Sequence, residues 1–425
     1  MTHARPVAGL GSPPSSTMTE LKQANLARVL RQIIVDGQTT RASVAGRTGL
    51  SIQTVSNLVA ELIDLGLICE SGQVSSRGGR PITLIERRPA GAYLIGVDVG
   101  ERGIAVEFFD FTLTRIDQVF GSSETTQTPA AIRQYLGEAL TTLETRNPTA
   151  WPRVVGVGLG LPGVVEPASG VQLESAHPAG SSSRTELRFD EQILYAQSLG
   201  WAPVAISELM STDLPVFAQN GAKVHTKGEQ WFGALRDTEH AVVVLIGRGV
   251  GLGLISGGVL LEGSHGSAGE WGHVRIEDDG RPCRCGGHGC LETYVGADGL
   301  LTSWADAGGE FDGTGSASVE CLIASSTPAA TRVVDQAIAR LGRALGGIVN
   351  VMNPERIVIG GWVGQLLMAT RAQQIDHAIR DNALDRAAHQ FTLYPSTFGG
   401  DSVAMGAATL PMEVLIQTPA MLAGR

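Results

Sequence analysis

"EWGHVRIEDDGRPCRCGGHGCLE", residues 270–292, holds three of the chain's five cysteines within eight positions, with His273 ahead of them and a glutamate at each end. His273, Cys283, Cys285 and Cys290 make a Cys3His donor set, which suits a closed tetrahedral zinc site because thiolates and an imidazole complete the shell without water. The C-x-C and C-x4-C spacing differs from that of common zinc fingers. On spacing alone, reduced cysteines without a metal remain an alternative.

The rest of the chain sets the compartment and the scale. At 425 residues it exceeds one hydrophobic core and predicts two or three domains. With 43% hydrophobic and 17% charged residues, the composition is that of an ordinary globular protein. No apolar run approaches the roughly eighteen residues that cross a bilayer. The opening "MTHARPVAGLGSPPSSTMTE" is rich in Gly, Pro, Ser and Thr and lacks a signal-peptide core. Residues 1–18 therefore read as a disordered leader, with Met18 as a second candidate start and the cytoplasm as the expected location. In that reducing compartment clustered cysteines favour metal over disulfide. The net charge of −10 is uneven: residues 1–90 carry 10 Lys+Arg against 6 Asp+Glu, and the remainder 22 against 36. A basic head on an acidic body points the head toward a polyanion.

Within residues 19–88 the pattern is that of a winged helix-turn-helix. "NLARVLRQIIVDG" puts Leu26, Val29, Leu30, Ile33 and Ile34 on one helical face, with Gly37 as the stop. Thr40 caps a short helix ending at Gly49, and Ser51 caps a third over "IQTVSNLVAELIDLG". In that third helix Val55, Leu58, Val59, Leu62 and Ile63 form the apolar stripe, leaving Gln53, Thr54, Ser56 and Asn57 free to read base edges. Two short strands then flank a Gly/Ser/Arg turn whose Arg77 and Arg80 suit phosphate or a narrow minor groove. A three-helix interaction module with a solvated polar face is the plainer reading.

Beyond residue 89 the chain alternates strands and helices. "AYLIGVDVGERGIAVEFFD" is strand, turn at Asp98–Gly100, strand; "HAVVVLIGRGVGLGLISGGVLL" repeats the plan around Gly247, Gly249 and Gly251. Two such hairpins about 150 residues apart imply duplicated α/β halves facing a cleft. Glycine in these turns lets backbone N–H groups approach phosphate, although any tight hairpin wants glycine too. "VVGVGLGLPGVVEPASG" adds a strand ending at Gly163, and "PERIVIGGWVG" another entering Gly360–Gly361.

These motifs, and above all "GEWGH" followed by "CRCGGHGCLE", resemble the ROK family of repressors, open reading frames and sugar kinases, over roughly residues 20–412. The resemblance implies an α/β, actin-like (ribonuclease-H-like) two-lobed ATPase fold behind an N-terminal winged helix, with lobe 1 over about 91–214 plus the C-terminal helix and lobe 2 over about 215–400. It favours a structural zinc on His273 and the three cysteines. It implies sugar-hydroxyl contacts from Asn220, Glu270, His273 and Glu292, and Gly163 joins the candidate ligand contacts. The implied partners are operator DNA, a sugar effector and further copies of the chain, as a homodimer or homotetramer, with no membrane.

The chain departs from the kinase branch at the transfer machinery. Where the family has Glu-Asn-Asp-Ala-Asn, with the Asp as base, this sequence reads Gln219-Asn220-Gly221-Ala222-Lys223. Glycine accepts no proton, so no catalytic residue and no enzyme activity are expected. Arg248 replaces the Thr of the second phosphate turn, and the first turn lacks the Gly-Thr that follows Asp98-Val99-Gly100 in the family. Lys223 and Arg248 make the pocket's C6 end more positive and suggest a hexose or amino-sugar 6-phosphate, such as glucosamine 6-phosphate, as the ligand. A pentose such as xylose, or drift with both cations facing solvent, are the alternatives. A transcriptional repressor relieved by that ligand is the leading expectation. An ATP-dependent sugar kinase with a regulatory head, and a ligand-free DNA-binding protein, are its rivals.

Overall fold

The computed structural model of the protein describes residues 18–75, 81–100, 102–122, 128–166, 192–311, 315–399 and 402–422. The head follows the sequence pattern closely. Helix α1 (Met18–Asp36) buries Leu26, Val29, Leu30, Ile33 and Ile34, and ends at Gly37, whose φ of 73° closes the turn. Met18, counted with the leader above, is the first residue of this helix. After the short strand β1 (Thr39–Thr40), Thr40 accepts from the Ser43 N–H to cap α2 (Arg41–Thr48), and Gly49 closes that helix in the left-handed region. Ser51 caps α3 (Ile52–Asp64) through the Thr54 N–H at 3.1 Å. Val55, Leu58, Val59 and Leu62 are buried, while Ile63 is half-buried against the same core. Strands β2 (Ile68–Val74) and β3 (Ile82–Arg87) pair antiparallel with a bulge between Glu70 and Gly72, and β1 joins β3. The wing is thus present; its tip, with Arg77 and Arg80, lies outside the described residues.

The body repeats one topology twice. In the first lobe β4 (Tyr93–Gly100), β5 (Gly103–Asp110) and β6 (Arg115–Ser122) form an antiparallel meander. Helix α4 (Pro129–Arg146) crosses to β7 (Val154–Leu161), which lies parallel to β4. A small side sheet of β8 (Val164–Glu166), β9 (Ile193–Tyr195) and β10 (Val204–Ala205) leads through α5 (Ile206–Leu209) to β11 (Val216–Asn220). Strand β11 runs parallel to β7 from Val216↔Val157 to Asn220↔Leu161. This corrects the expected boundary near residue 215: β11 completes the first lobe's sheet, and the chain changes lobe at Asn220, the N-cap of α6 (Gly221–Phe232).

The second lobe opens with β12 (Ala241–Ile246), β13 (Val250–Ser256) and β14 (Val259–Leu260), another antiparallel meander. The cysteine loop follows, then the helices α7 (Glu292–Val295), α8 (Ala297–Asp306), α9 (Ser316–Ala324) and α10 (Pro328–Met352). Strand β15 (Arg356–Gly360) pairs parallel with β12, α11 (Trp362–Arg380) and α12 (Asp385–Ala388) intervene, and β16 (Thr392–Pro395) pairs parallel with β15. Strand orders β11-β7-β4-β5-β6 and β14-β13-β12-β15-β16 are the same arrangement.

Helix α13 (Ser402–Gln417) returns to the first lobe. It lies so close to β4 and β7 that a Cβ on Gly96 or Gly158 would stand 1.9 Å from the carbonyl oxygen of Ala404 or Ala407, so only glycine serves there. Its Met412, Leu415 and Ile416 share one buried cluster with Val29, Ile33 and Leu62 of the head and with Trp231 at the end of α6. Each such fully buried aliphatic side chain contributes about 1.5–3 kcal/mol. Head and body are therefore joined by a continuous apolar core. No described helix is long and apolar enough to cross a membrane.

Candidate functional site: an interlobe pocket and a cysteine cluster

The cleft between the lobes holds a cavity of about 1000 Å³. Its walls include Gly163 and Asn220 from the first lobe and Glu270, His273 and Glu292 from the second, so five sequence-predicted contacts converge. Asn220 does two jobs at once. Its Oδ1 accepts from the Ala222 and Lys223 N–H groups at 2.9 and 3.4 Å, and its Nδ2 donates to the Gly163 carbonyl at 2.8 Å. The residue that starts α6 is thereby tied to the turn that ends β7.

Glu292 is 9% exposed and accepts from the Val250 N–H at 3.0 Å, with Arg284 at 3.6 Å from its other oxygen. Burial pushes the Glu270 carboxyl above its ordinary value; His273 and Lys223 oppose that shift and Glu292 adds to it. Gly272 brings the Glu270–His273 turn hard against β13, since a Cβ there would sit 2.1 Å from the Val250 carbonyl oxygen.

Behind this wall the four predicted metal ligands come together, with one donor atom from each lying within 4.8 Å of the others. Zn–S bonds of about 2.3 Å in a tetrahedron put sulfurs about 3.8 Å apart, and a Zn–N bond of about 2.0–2.1 Å puts nitrogen about 3.6 Å from sulfur. Cys285 and Cys290 Sγ are 3.8 Å apart, and His273 Nδ1 lies 3.6 Å from Cys283 Sγ. The residues fit a tetrahedral ion. Burial and the neighbouring thiols push Cys290 up to about 12, a state that a bound cation reverses.

Two predicted contacts are corrected. Lys223 does not reach the cavity: it is 1% exposed, and its ammonium donates to the carbonyls of Gly266 at 2.6 Å and Glu262 at 3.4 Å. Its place three residues into α6 turns it toward the 262–266 loop, where it is a strut. Arg248 also points away, paired with Asp298 at 3.0 Å on the surface. The cationic C6 end expected from the sequence therefore does not form. Gly221 does line the cavity, and a Cβ there would meet nothing closer than 3.8 Å, so the missing acid reflects chemistry rather than lack of room. His225 and Glu229, the nearest alternative bases in sequence, are fully buried outside the cavity.

Sequence reasoning missed Glu166, Tyr195, His265 and Arg284 in the walls. Glu166 and His265 meet across the cleft at 3.0 Å, one from each lobe. Only the Gly/Ser-rich setting of "EGSHGSAGE" hinted that His265 sits on a loop at the site.

On the head, Gln53 and Asn57 are exposed one turn apart, with Gln53 Nε2 donating to Asn57 Oδ1 at 3.1 Å. Ser56 and Thr54 are half-buried, and Thr54 Oγ1 lies 2.8 Å from Ser51 Oγ in the cap. Ile52, at the first position of α3, is 61% exposed and adds a large apolar side chain next to Gln53.

Comparison with known proteins agrees with both halves. A winged helix-turn-helix DNA-binding model matches residues 25–68, and the ROK family model matches residues 94–414. A xylose repressor of Caldicellulosiruptor bescii is 25% identical over 422 residues, covering 94% of this chain and 98% of the relative. A glucokinase of Halalkalibacterium halodurans is 28% identical over 333 residues, covering 75% and 94%. Among solved structures, a ROK family transcriptional regulator homologous to the Escherichia coli MLC protein superposes with a TM-score of 0.69 at 24% identity, covering 95% and 99%. With the family model spanning the body and a DNA-binding model spanning the head, the chain belongs to the ROK family.

Proposed function

We propose that this protein is a sugar-responsive DNA-binding repressor whose body senses the ligand without phosphorylating it. One observation carries the reading: helix α6 begins in the interlobe pocket and ends beneath the winged helix. At its start Asn220 and Gly221 line the cavity. Near its end the Arg31 guanidinium of α1 lies 4.3 Å from the Trp231 ring, and that of Arg87 in β3 lies 5.1 Å from Phe232. Glu413 of α13 accepts from Lys227 and from the Trp231 indole at 2.8 and 2.9 Å, locking the same end to the first lobe. A ligand that draws the lobes together shifts α6, and with it the seat of the head. The switch has force only if sugar binds the two arrangements with different affinity. Paired heads on a two-fold operator imply at least a homodimer.

The ligand is a neutral sugar. Glu270 and Glu292 accept hydrogen bonds from sugar hydroxyls, and His273, with Nδ1 on the metal, offers Nε2–H as a donor. With Lys223 and Arg248 turned away, no basis for a 6-phosphate remains in the residues that suggested it. The relative named as a xylose repressor makes xylose the first sugar to test. The ion is zinc, held by His273, Cys283, Cys285 and Cys290, and its work is to fix the loop between Glu270 and Glu292. The glucokinase relative keeps a kinase reading in view, but the glycine at the position of the family's base, Gly221, can take no proton.

Thermal unfolding of the full chain against neutral sugars, their 6-phosphates and ATP tests this reading. Ligand at about 100 times its Kd adds about 2.7 kcal/mol. A raised midpoint with a neutral sugar, and none with its 6-phosphate, is expected. A shift with 6-phosphates alone, or ATP turnover with any sugar, overturns it.

A further inference from the structure

Behind the cysteine loop lies a second cavity, of about 230 Å³, that shares no residue with the sugar pocket. Its wall is unusually rich in guanidinium groups: Arg281, Arg332 and Arg340 surround it, with Tyr294 and Gln336 between them. Arg332, Gln336 and Arg340 stand four residues apart on α10, one stripe along about 12 Å of helix. Arg281 is committed to protein, donating to Asp306 and Ser303 at 2.8 Å each and to the Gly299 carbonyl at 3.2 Å. Arg340 spends only its Nε, on Glu277 at 3.1 Å, and stacks over the Tyr294 ring at 4.6 Å. Among the described residues its two terminal nitrogens, the whole Arg332 guanidinium and the Gln336 amide have no protein partner. Tyr294 Oη accepts from the Arg281 N–H at 3.0 Å, so its own proton is left to donate.

Asp306 is the one carboxylate in the wall, and Arg281 already neutralises it. Glu277 answers Arg340 in the same way, which among the described residues leaves the exposed Arg332 as the unanswered charge at the cavity, beside the free terminal nitrogens of Arg340. Guanidinium forks match tetrahedral oxyanions in paired hydrogen bonds. We propose that this cavity is a second effector site, taking a phosphate group, free or as the ester of a small metabolite. Donors would come from Arg332, Arg340, Gln336 and Tyr294.

The site is placed to act on the first. Arg281 precedes Cys283 by two residues, and Tyr294 follows Glu292 by two in the same short helix. An anion clamped between α10 and these residues stiffens the segment that carries Glu292, and so raises sugar affinity. The binding claim stands independently; the coupling claim rests on the sugar-sensor reading.

Isothermal titration of the zinc-loaded full chain with sodium phosphate and with glucose 6-phosphate, at constant ionic strength, tests it. Arg332→Ala, an exposed position whose loss spares the fold, is the main variant; Gln336→Ala is a second and Arg386→Ala a surface-charge control. Saturable binding of both probes is expected, weakened at least tenfold in Arg332→Ala and unchanged in Arg386→Ala. Binding of inorganic phosphate alone narrows the ligand to the free ion, and of the ester alone to the metabolite; either supports the site. Absence of saturable binding, or equal binding in wild type and Arg332→Ala, overturns the site. Phosphate binding at Arg332 with no change in sugar affinity overturns the coupling and leaves the site.

Discussion

Replacing Cys290 with serine is expected to strip the metal from the protein and to weaken sugar binding by about 10–100-fold, while DNA binding by the head survives. In the function proposed above, the cluster fastens the wall that meets the sugar. Cys290 stands two residues before Glu292, and His273 is at once a cluster member and a pocket wall. Without an ion, burial pushes the Cys283 and Cys290 thiols up and keeps them neutral, and the loop is left to backbone bonds, the Glu292 contact to the Val250 N–H and the ties of Arg281, Arg284 and Glu277 at its margins. Losing the preordering of two or three side chains at about 0.5–1.5 kcal/mol each gives the stated loss of affinity. The head's buried core contains none of these residues, so its fold is untouched. Metal analysis should find one zinc per wild-type chain and none in the variant, with titration calorimetry reading the sugar. A variant that binds sugar as tightly as wild type would show that the wall stands without the ion.

The second large effect lies at the far end of α6. Lys227→Met should destabilise the protein by about 2–3 kcal/mol at neutral pH, because it leaves Glu413 largely enclosed with, among the described residues, the Trp231 N–H as its hydrogen bond and the Arg31 charge nearby. The side chains of this pair are 13% and 24% exposed, so the loss falls short of that for a fully buried pair. Burial alone would raise the Glu413 carboxyl, but the Lys227 ammonium and the hydrogen bonds from Lys227 and Trp231 win and hold it below its ordinary 4.5. A lowered folded value means that the contribution is fully present above about pH 4.5 and is lost as pH falls through the folded value. The stability gap between wild type and Lys227→Met should therefore close on acidification below that range. Urea unfolding at pH 7 and along an acid series below pH 4.5 reads both. The same variant loosens α6 from α13, so sugar should release DNA less completely from it than from wild type. Equal stability at pH 7 would remove the pair from the account.

Much of this was legible in the chain because it is local. Caps at Thr40 and Ser51, the stop at Gly37 and the buried stripes of α1 and α3 follow from spacings of three and four residues, and the structure keeps them. The Cys3His group was legible because its donors are rare and close in sequence. The directions of Lys223 and Arg248 were not, since they depend on which neighbour each side chain meets. Lys223 finds two carbonyls on a loop some forty residues away, and Arg248 finds Asp298 fifty residues on. The lobe boundary moved for a similar reason, as β11 is assigned by its pairing with β7 rather than by its own pattern. The link from pocket to head was invisible in sequence because it needs α1, α6 and α13, separated by some two hundred residues at each step, to meet at Trp231 and Glu413.

The most direct test of the central claim is the affinity of the full chain for DNA, with and without sugar. A fragment selected from a random duplex pool would be labelled and followed by fluorescence anisotropy, with the neutral sugar that raises the unfolding midpoint added at saturation. The account predicts tight binding without sugar and a rise in Kd of at least about tenfold with it, a coupling of at least about 1.4 kcal/mol. DNA affinity unchanged by a sugar that demonstrably binds the same protein would contradict it.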